Sequence, residues 1–236
     1  MLINLSTGSI YKWNGDVGAF LALCKKMKLD GLELMRSDKK SLDNFTLSGS
    51  DLEELKAFKY MSIHAPFRIA DNSADDAEIL SQLSAIESLY KKVNAKAVVF
   101  HATSLPRLDL LKKFDFKFII ENTYRGGGIG IDDFEKIVGE YGSDVCLDVS
   151  HAYTWSEKES LFYATRFKGK IAEIHLSASN GEHEHPPFSE ASPEFLKSIE
   201  FLKGTDIPII MESDYNSKDE ETLTKDITSI KEFFIK

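Results

Sequence analysis

Six histidines, His64, His101, His151, His175, His183 and His185, are the only imidazoles in a chain of 236 residues, and each falls at or just beyond the end of a short apolar run. His64 closes MSIH, His101 closes AVVFH, His151 ends CLDVSH, His175 sits in AEIHL, and His183 and His185 follow shortly after it. Three acids share this placement: Glu121 ends KFIIE, Asp148 lies in CLD and Glu212 ends PIIME. A carboxylate or a protonated imidazole is costly to bury alone, but a carboxylate and a neutral imidazole that share a divalent cation are favourable. One histidine at a strand end is more often a hydrogen-bonded core residue than a ligand. Six in the same kind of position point to metal. Imidazole mixed with carboxylate suits zinc, with manganese or iron as alternatives, whereas magnesium and calcium prefer oxygen throughout. Nine candidate ligands exceed what one tetrahedral ion uses, so two or three ions are expected, some joined by a bridging carboxylate.

The elements that would position these residues recur along the whole chain. Eight apolar runs stand out: LINLS (2 to 6), GLELM (31 to 35), YMSIHA (60 to 65), AVVFHA (97 to 102), FKFIIEN (116 to 122), DVCLDVSH (144 to 151), IAEIHLSA (171 to 178) and IPIIMES (207 to 213). Their near-continuous apolarity suits parallel strands covered on both faces. Between them lie stretches of helical period, such as Val17, Phe20, Leu21 and Cys24, then Ile79, Leu83, Ile86 and Leu89, and finally Leu223, Ile227, Ile230 and Phe234. The fourth helix, near LPRLDLLKK, is expected to be short. Eight strand and helix units in this length predict a single-domain α/β chain over 1–236, a closed (β/α)8 TIM barrel. Such barrels carry their chemistry at the C-terminal ends of the strands, where the histidines and acids fall.

Composition narrows the function classes. Hydrophobic residues make up 42% and charged residues 28%, an ordinary globular balance without low-complexity tracts. The net charge of -9 counts against nonspecific nucleic-acid binding, which draws on lysine and arginine to neutralise phosphates. Cys24 and Cys146 lie inside apolar patterns and read as buried thiols. No apolar stretch approaches a membrane span and the first residues lack signal-peptide character, so a cytoplasmic monomer with no membrane partner is expected.

Five segments resemble endonuclease IV, the AP endonuclease family 2, within the xylose isomerase-like barrel superfamily. SIHAPFRIA resembles that family's HAPY segment, IIENTYRGGGIG its E-[NT]-T and glycine-rich turn, and CLDVSHAY its CLDTCHAF signature. HLSASNGEHEH and IPIIMES resemble the remaining two, at low overall similarity over nearly the whole chain. The resemblance implies that His64, His101 and Glu121 hold one zinc, and that Glu121 bridges to a second held by Asp148, His175 and Glu212. It assigns His151, His183 and His185 to a third. Two departures stand out. His183 occupies the place of a family aspartate, and Phe67 that of a tyrosine that helps insert into DNA.

The activity implied is hydrolysis of a phosphoester of the AP-site, DNA-repair type, with a hydroxide between zinc ions attacking phosphorus and Glu121 and Glu212 at the catalytic centre. Arg36, Arg68 and Arg125 each follow a strand end and could hold phosphate oxygens, with Phe67 beside the substrate. Tyr153 and Trp155 could stack on a base or sugar, or cap a helix. The alternative from the same superfamily is a sugar or sugar-phosphate isomerase or epimerase, using one metal at Glu121, Asp148, His175 and Glu212. Acidic charge and small size favour it, while the additional histidines favour the hydrolase. A third reading is a non-catalytic metal-binding barrel, whose sites would be closed. The substrate is accordingly a small phosphoester, a sugar or a nucleic acid.

Overall fold

The computed structural model describes residues 1–13, 17–43, 45–69, 75–180, 185–215 and 219–235. Eight parallel strands close into a barrel in chain order: β1 (Ile3–Ser6), β2 (Gly31–Met35), β3 (Tyr60–His64), β4 (Ala97–His101), β5 (Phe118–Glu121), β6 (Asp144–Asp148), β7 (Ile171–Leu176) and β8 (Ile209–Met211). Closure is made where Ile3 to Leu5 of β1 register with Ile209 to Met211 of β8. The helices on the outside are α1 (Val17–Met27), α2 (Lys39–Asp43), α3 (Gly49–Ala57), α4 (Asp76–Val93), α5 (Leu108–Leu111), α6 (Ile131–Tyr141), α7 (Val149–Trp155), α8 (Glu159–Arg166), α9 (Pro193–Ser198) and α10 (Glu220–Ile235). The expected closed barrel is therefore the fold, and α5, which follows β4, is indeed short.

Local chemistry sets the helix limits. Asp75 caps α4 by accepting from the Glu78 N–H, and Asn94 ends it in the left-handed conformation at φ 55°. Inside that helix Ile79, Leu83, Ile86, Leu89 and Val93 are buried at helical spacing, the face that packs on the barrel. Helix α3 carries a full capping box between Ser48 and Asp51. Cys24 and Cys146 are both free and buried, as expected. None of the described helices is long and apolar enough to cross a membrane.

The inside of the barrel positions the site. Side chains alternate along each strand, so Ser6, Glu33, Ser62, His64, Glu121, Asp148, Glu173 and His175, all buried, share the interior with a small apolar cluster of Ala97, Val99, Ile119 and Cys146. Barrel interiors are ordinarily layers of branched apolar residues; here much of the interior is polar. Packing at the bottom is tight at Gly31, where an added Cβ would lie 1.8 Å from the Tyr60 carbonyl oxygen and 2.5 Å from Asn4 Oδ1. Backbone of a paired strand cannot give way cheaply. Gly31→Ala is expected to lower stability by at least the ~1–3 kcal/mol that overpacking costs, as read by chemical denaturation.

One boundary corrects the sequence reading. The run 144–151 is not a single strand: β6 stops at Asp148, and α7 begins at Val149. Asp148 caps that helix, its Oδ1 accepting from the His151 N–H at 2.7 Å and from Ser150 Oγ at 2.8 Å. His151 therefore stands on the first turn of a helix and not at a strand end.

Candidate metal centre

Glu121 lies at the hub. Its Oε2 is 3.1 Å from His64 Nε2, 3.3 Å from His101 Nε2 and 3.7 Å from His175 Nδ1, and its Oε1 is 3.2 Å from His151 Nδ1. His175 Nδ1 is also 3.0 Å from Glu212 Oε2. Donor atoms of Glu121, Asp148, His175 and Glu212 all fall within 4.8 Å of one another, as do those of His64, Glu121 and His175, and those of Asp148, His151 and His185. Eight of the nine predicted ligands are thus brought to the C-terminal mouth of the barrel. The ninth, His183, lies outside the described residues.

Neighbouring strand ends hold this arrangement. Asn122, directly after β5, donates through Nδ2 to the Asp148 carbonyl and accepts the Asp148 N–H at its Oδ1, both at 2.8 Å. The Asn122 carbonyl accepts from His151 Nδ1 at 3.0 Å, and the Ala65 carbonyl from His64 Nδ1 at 2.9 Å. Because a carbonyl can only accept, each ring carries a proton on Nδ1, so Nε2 is the nitrogen a cation would take from the neutral ring. His185 takes a positive φ of 68°, its ring is 5.1 Å from that of His151, and its Nδ1 is 3.2 Å from Ser177 Oγ.

Several buried atoms at this centre have no hydrogen-bond partner: Glu121 Oε1, Asp148 Oδ2, His175 Nδ1 and Glu212 Oε1. Each unsatisfied buried polar atom costs about 1–3 kcal/mol, and charged ones more. These atoms belong to the four residues whose donors cluster within 4.8 Å, so the residues fit a divalent cation. Mixed imidazole and carboxylate donors suit zinc, manganese or iron.

Electrostatics point the same way. Burial pushes the His64 pKa down, but the Glu121 hydrogen bond and the charges of Glu33, Glu121 and Glu212 outweigh it and raise it to about 9. His151 is likewise opposed by burial and raised to about 10 by Asp148 and Glu121. Burial would raise the Glu121 pKa, yet His101 and His175 hold it well below the usual carboxylate range. Without metal, then, His64 and His151 are imidazoliums paired with carboxylates. The folded protein keeps protons that the unfolded chain releases near pH 6.5, so this stabilisation is complete below that pH and is lost as pH rises through about 9 to 10. Metal-free protein is expected to melt at progressively lower temperature over that window. A cation that takes the imidazoles in neutral form should flatten the fall, as thermal melts with and without zinc would reveal.

The centre opens into a cavity of about 760 Å³, lined by His64, His101, Glu121, His151, His185 and Glu212 together with Ser9, Thr103 and Asp214. Tyr11, Phe67 and Tyr124 stand exposed at its rim. Of the predicted substrate contacts, Phe67 is among the lining residues and Arg36, Arg68 and Arg125 are not. The Arg36 guanidinium lies 4.1 Å over the Phe45 ring, where burial lowers its pKa to about 10. Arg68 and Arg125 are exposed. Trp155 donates to the Thr123 carbonyl at 2.8 Å, and Tyr153 packs edge-on against Phe195.

Three completely buried acids were missed by the sequence reading: Glu33, Glu173 and Asp226. Glu33 and Glu173 lie beneath His175, whose Nε2 is 3.3 Å from Glu33 Oε2 and 2.9 Å from Glu173 Oε1. Their signal was present, as each is a carboxylate inside an apolar run, GLELM and IAEIHL. Asp226 of α10 accepts from the N–H groups of Phe188 and Ser189, both at 2.8 Å, from Tyr215 Oη at 2.7 Å and from Ser213 Oγ at 3.2 Å. It ties the segment after His185 to the loop that carries Glu212, which the Asp214 N–H also joins by donating to the His185 carbonyl at 2.7 Å.

No protein-family model matches the chain, and no curated protein matches it by sequence. Solved structures share its fold over nearly its whole length. A D-tagatose 3-epimerase-like protein aligns at 17% identity and a TM-score of 0.73, covering 99% of this chain and 97% of that one. Endonuclease IV from Thermus thermophilus aligns at 16% identity and a TM-score of 0.68, again covering 99% and 97%. The IOLI protein, in a structure with a bound zinc atom, aligns at 16% identity and a TM-score of 0.70 over 100% of both chains. Fold and site together define the class: a closed (β/α)8 barrel with clustered histidine and carboxylate side chains at its mouth. The likeness to these proteins is one of fold.

Proposed function

We propose that the chain is a metal-dependent phosphoester hydrolase of the endonuclease IV kind, loaded with more than one ion, zinc being the ion its donor set suits best. One observation carries the reading: the Glu121 carboxylate is approached by four imidazoles, those of His64, His101, His151 and His175, at 3.1 to 3.7 Å. A carboxylate so surrounded, with Oε1 left unpartnered, has the surroundings of a bridging ligand. His64 and His101 would hold an ion on one side of it, and Asp148, His175 and Glu212 one on the other. His151 and His185 would serve a third, with His183 as the remaining ligand. Divalent ions bound there supply Lewis acidity and bring the pKa of a bound water towards neutrality. Glu121 and Glu212 reach the cavity and are the carboxylates placed to hold or pass a proton, while Phe67 and Tyr124 line the same cavity beside them. Fold neighbours named as an endonuclease and as an epimerase-like protein support an enzyme.

A second reading, an isomerase or epimerase acting on a sugar or sugar phosphate with one ion at Glu121, Asp148, His175 and Glu212, is favoured for an uncharged sugar by the cavity lining, which holds no lysine or arginine among the described residues. Zinc-loaded and manganese-loaded protein should be offered bis(p-nitrophenyl) phosphate, a duplex with an abasic site and a ketohexose. Release of nitrophenolate or a nicked duplex supports the hydrolase. Interconversion of the ketose, followed by NMR, with no cleavage of either phosphoester would overturn it.

A further inference from the structure

The two ring nitrogens of His175 face opposite ways along the barrel axis. Nδ1 looks up at Glu212 Oε2, 3.0 Å away, and Glu121 Oε2, 3.7 Å away, and has no hydrogen-bond partner. Nε2 looks down at Glu173 Oε1, 2.9 Å away, and Glu33 Oε2, 3.3 Å away. Both lower carboxylates are themselves anchored. Tyr60 Oη donates to Glu173 Oε2 at 2.6 Å, and Ser6 Oγ donates to Glu33 Oε1 at 2.9 Å. Glu33, Glu173 and His175 are completely buried. Cys146, Glu173 and His175 also have donor atoms within 4.8 Å of one another, yet Glu173 is already engaged on both oxygens, by Tyr60 and by His175. Two carboxylates this deep are expensive unless they hold something in place.

We propose that Glu173, assisted by Glu33, is the positioning residue for His175: by accepting the Nε2 proton it fixes the tautomer and ring angle that leave the Nδ1 lone pair facing Glu121 and Glu212. A neutral imidazole has one N–H, and a carboxylate that takes it decides which nitrogen remains free for a cation. Glu173 touches neither cavity nor substrate and acts only through His175. The inference rests on the metal-centre reading of Glu121, Asp148, His175 and Glu212, and holds for either proposed reaction.

The test compares Glu173→Gln, which keeps the shape and loses the charge, with Glu173→Leu, which also loses the acceptor. Zinc alone would be titrated against a chromophoric chelator, and the metal-free melting temperature recorded for each protein. Zinc affinity is expected to fall by about 10–100-fold, further in the leucine variant, and by more than the accompanying drop in metal-free melting accounts for, since removing one partner of a buried pair also costs stability. In zinc-loaded parent protein, 15N NMR should find the His175 proton on Nε2. Unchanged affinity in a folded variant, affinity loss that merely tracks lost metal-free stability, or a proton absent from Nε2 would overturn the role. Should the leucine variant fail to fold, the glutamine variant decides. Parent protein that binds no zinc would instead sink the metal-centre reading, which separates the two failures.

Discussion

Glu121→Gln is expected to strip the centre of metal and to lower turnover by at least about 10²–10³-fold, the scale of losing one strong electrostatic stabiliser. Its effect on folding should be large as well. The side chain is buried, and its carboxylate faces His64, His101, His151 and His175. An amide of the same shape removes the charge those rings share. Breaking a buried ion pair by deleting one partner costs about 3–5 kcal/mol, because the other charge is left uncompensated. His64 and His151 respond by releasing their protons, so their raised pKa values, about 9 and about 10 in the parent, should fall in the variant. Metal analysis, turnover and an NMR titration of the histidine rings would check the three effects separately. A variant that keeps its full metal content would show that Glu121 does not bridge.

Asp226→Ala should be the most damaging change outside the centre. It leaves the backbone N–H groups of Phe188 and Ser189 unpartnered, together with the hydroxyls of Ser213 and Tyr215. At ~1–3 kcal/mol for a buried group, the Phe188 N–H alone predicts a loss of that size in chemical denaturation, to which the half-buried Ser189 N–H adds. Zinc affinity should weaken too, since the same contacts hold the chain segments bearing His185 and Glu212 together. Asp226→Asn, which keeps one acceptor oxygen, should lie between parent and alanine. Full stability in the alanine variant would mean that the clamp does not hold these loops.

The fold and much of the centre were legible for a common reason. In a parallel barrel both faces of a strand are covered, so apolar runs mark the strands, and a polar residue at the end of such a run marks the mouth. His64, His101 and Glu121 end β3, β4 and β5 as that logic requires. The logic weakened where a polar side chain serves backbone structure. Asp148 is a helix cap as well as a candidate ligand, and the apolar Val149 after it concealed the switch from strand to helix. That is why His151 was placed on a strand. It failed inside the strands: Glu33 and Glu173 sit mid-run among apolar neighbours, where a polar residue does not mark the mouth. Asp226 was hidden differently, as one acid in an amphipathic helix, where a charge ordinarily faces water. The arginines show the limit of reading position alone. Following a strand end brought Arg36 onto Phe45 and left Arg68 and Arg125 exposed.

What most directly tests the account is the number and position of ions in zinc-loaded protein, located by anomalous scattering from crystals. At least two are expected, both in contact with Glu121, one among His64 and His101 and the other among Asp148, His175 and Glu212, with a further ion beside His151 and His185 when the third group fills. A single ion held by Glu121, Asp148, His175 and Glu212, with His64 and His101 turned away from it, would contradict the bridged centre and leave the isomerase reading in its place.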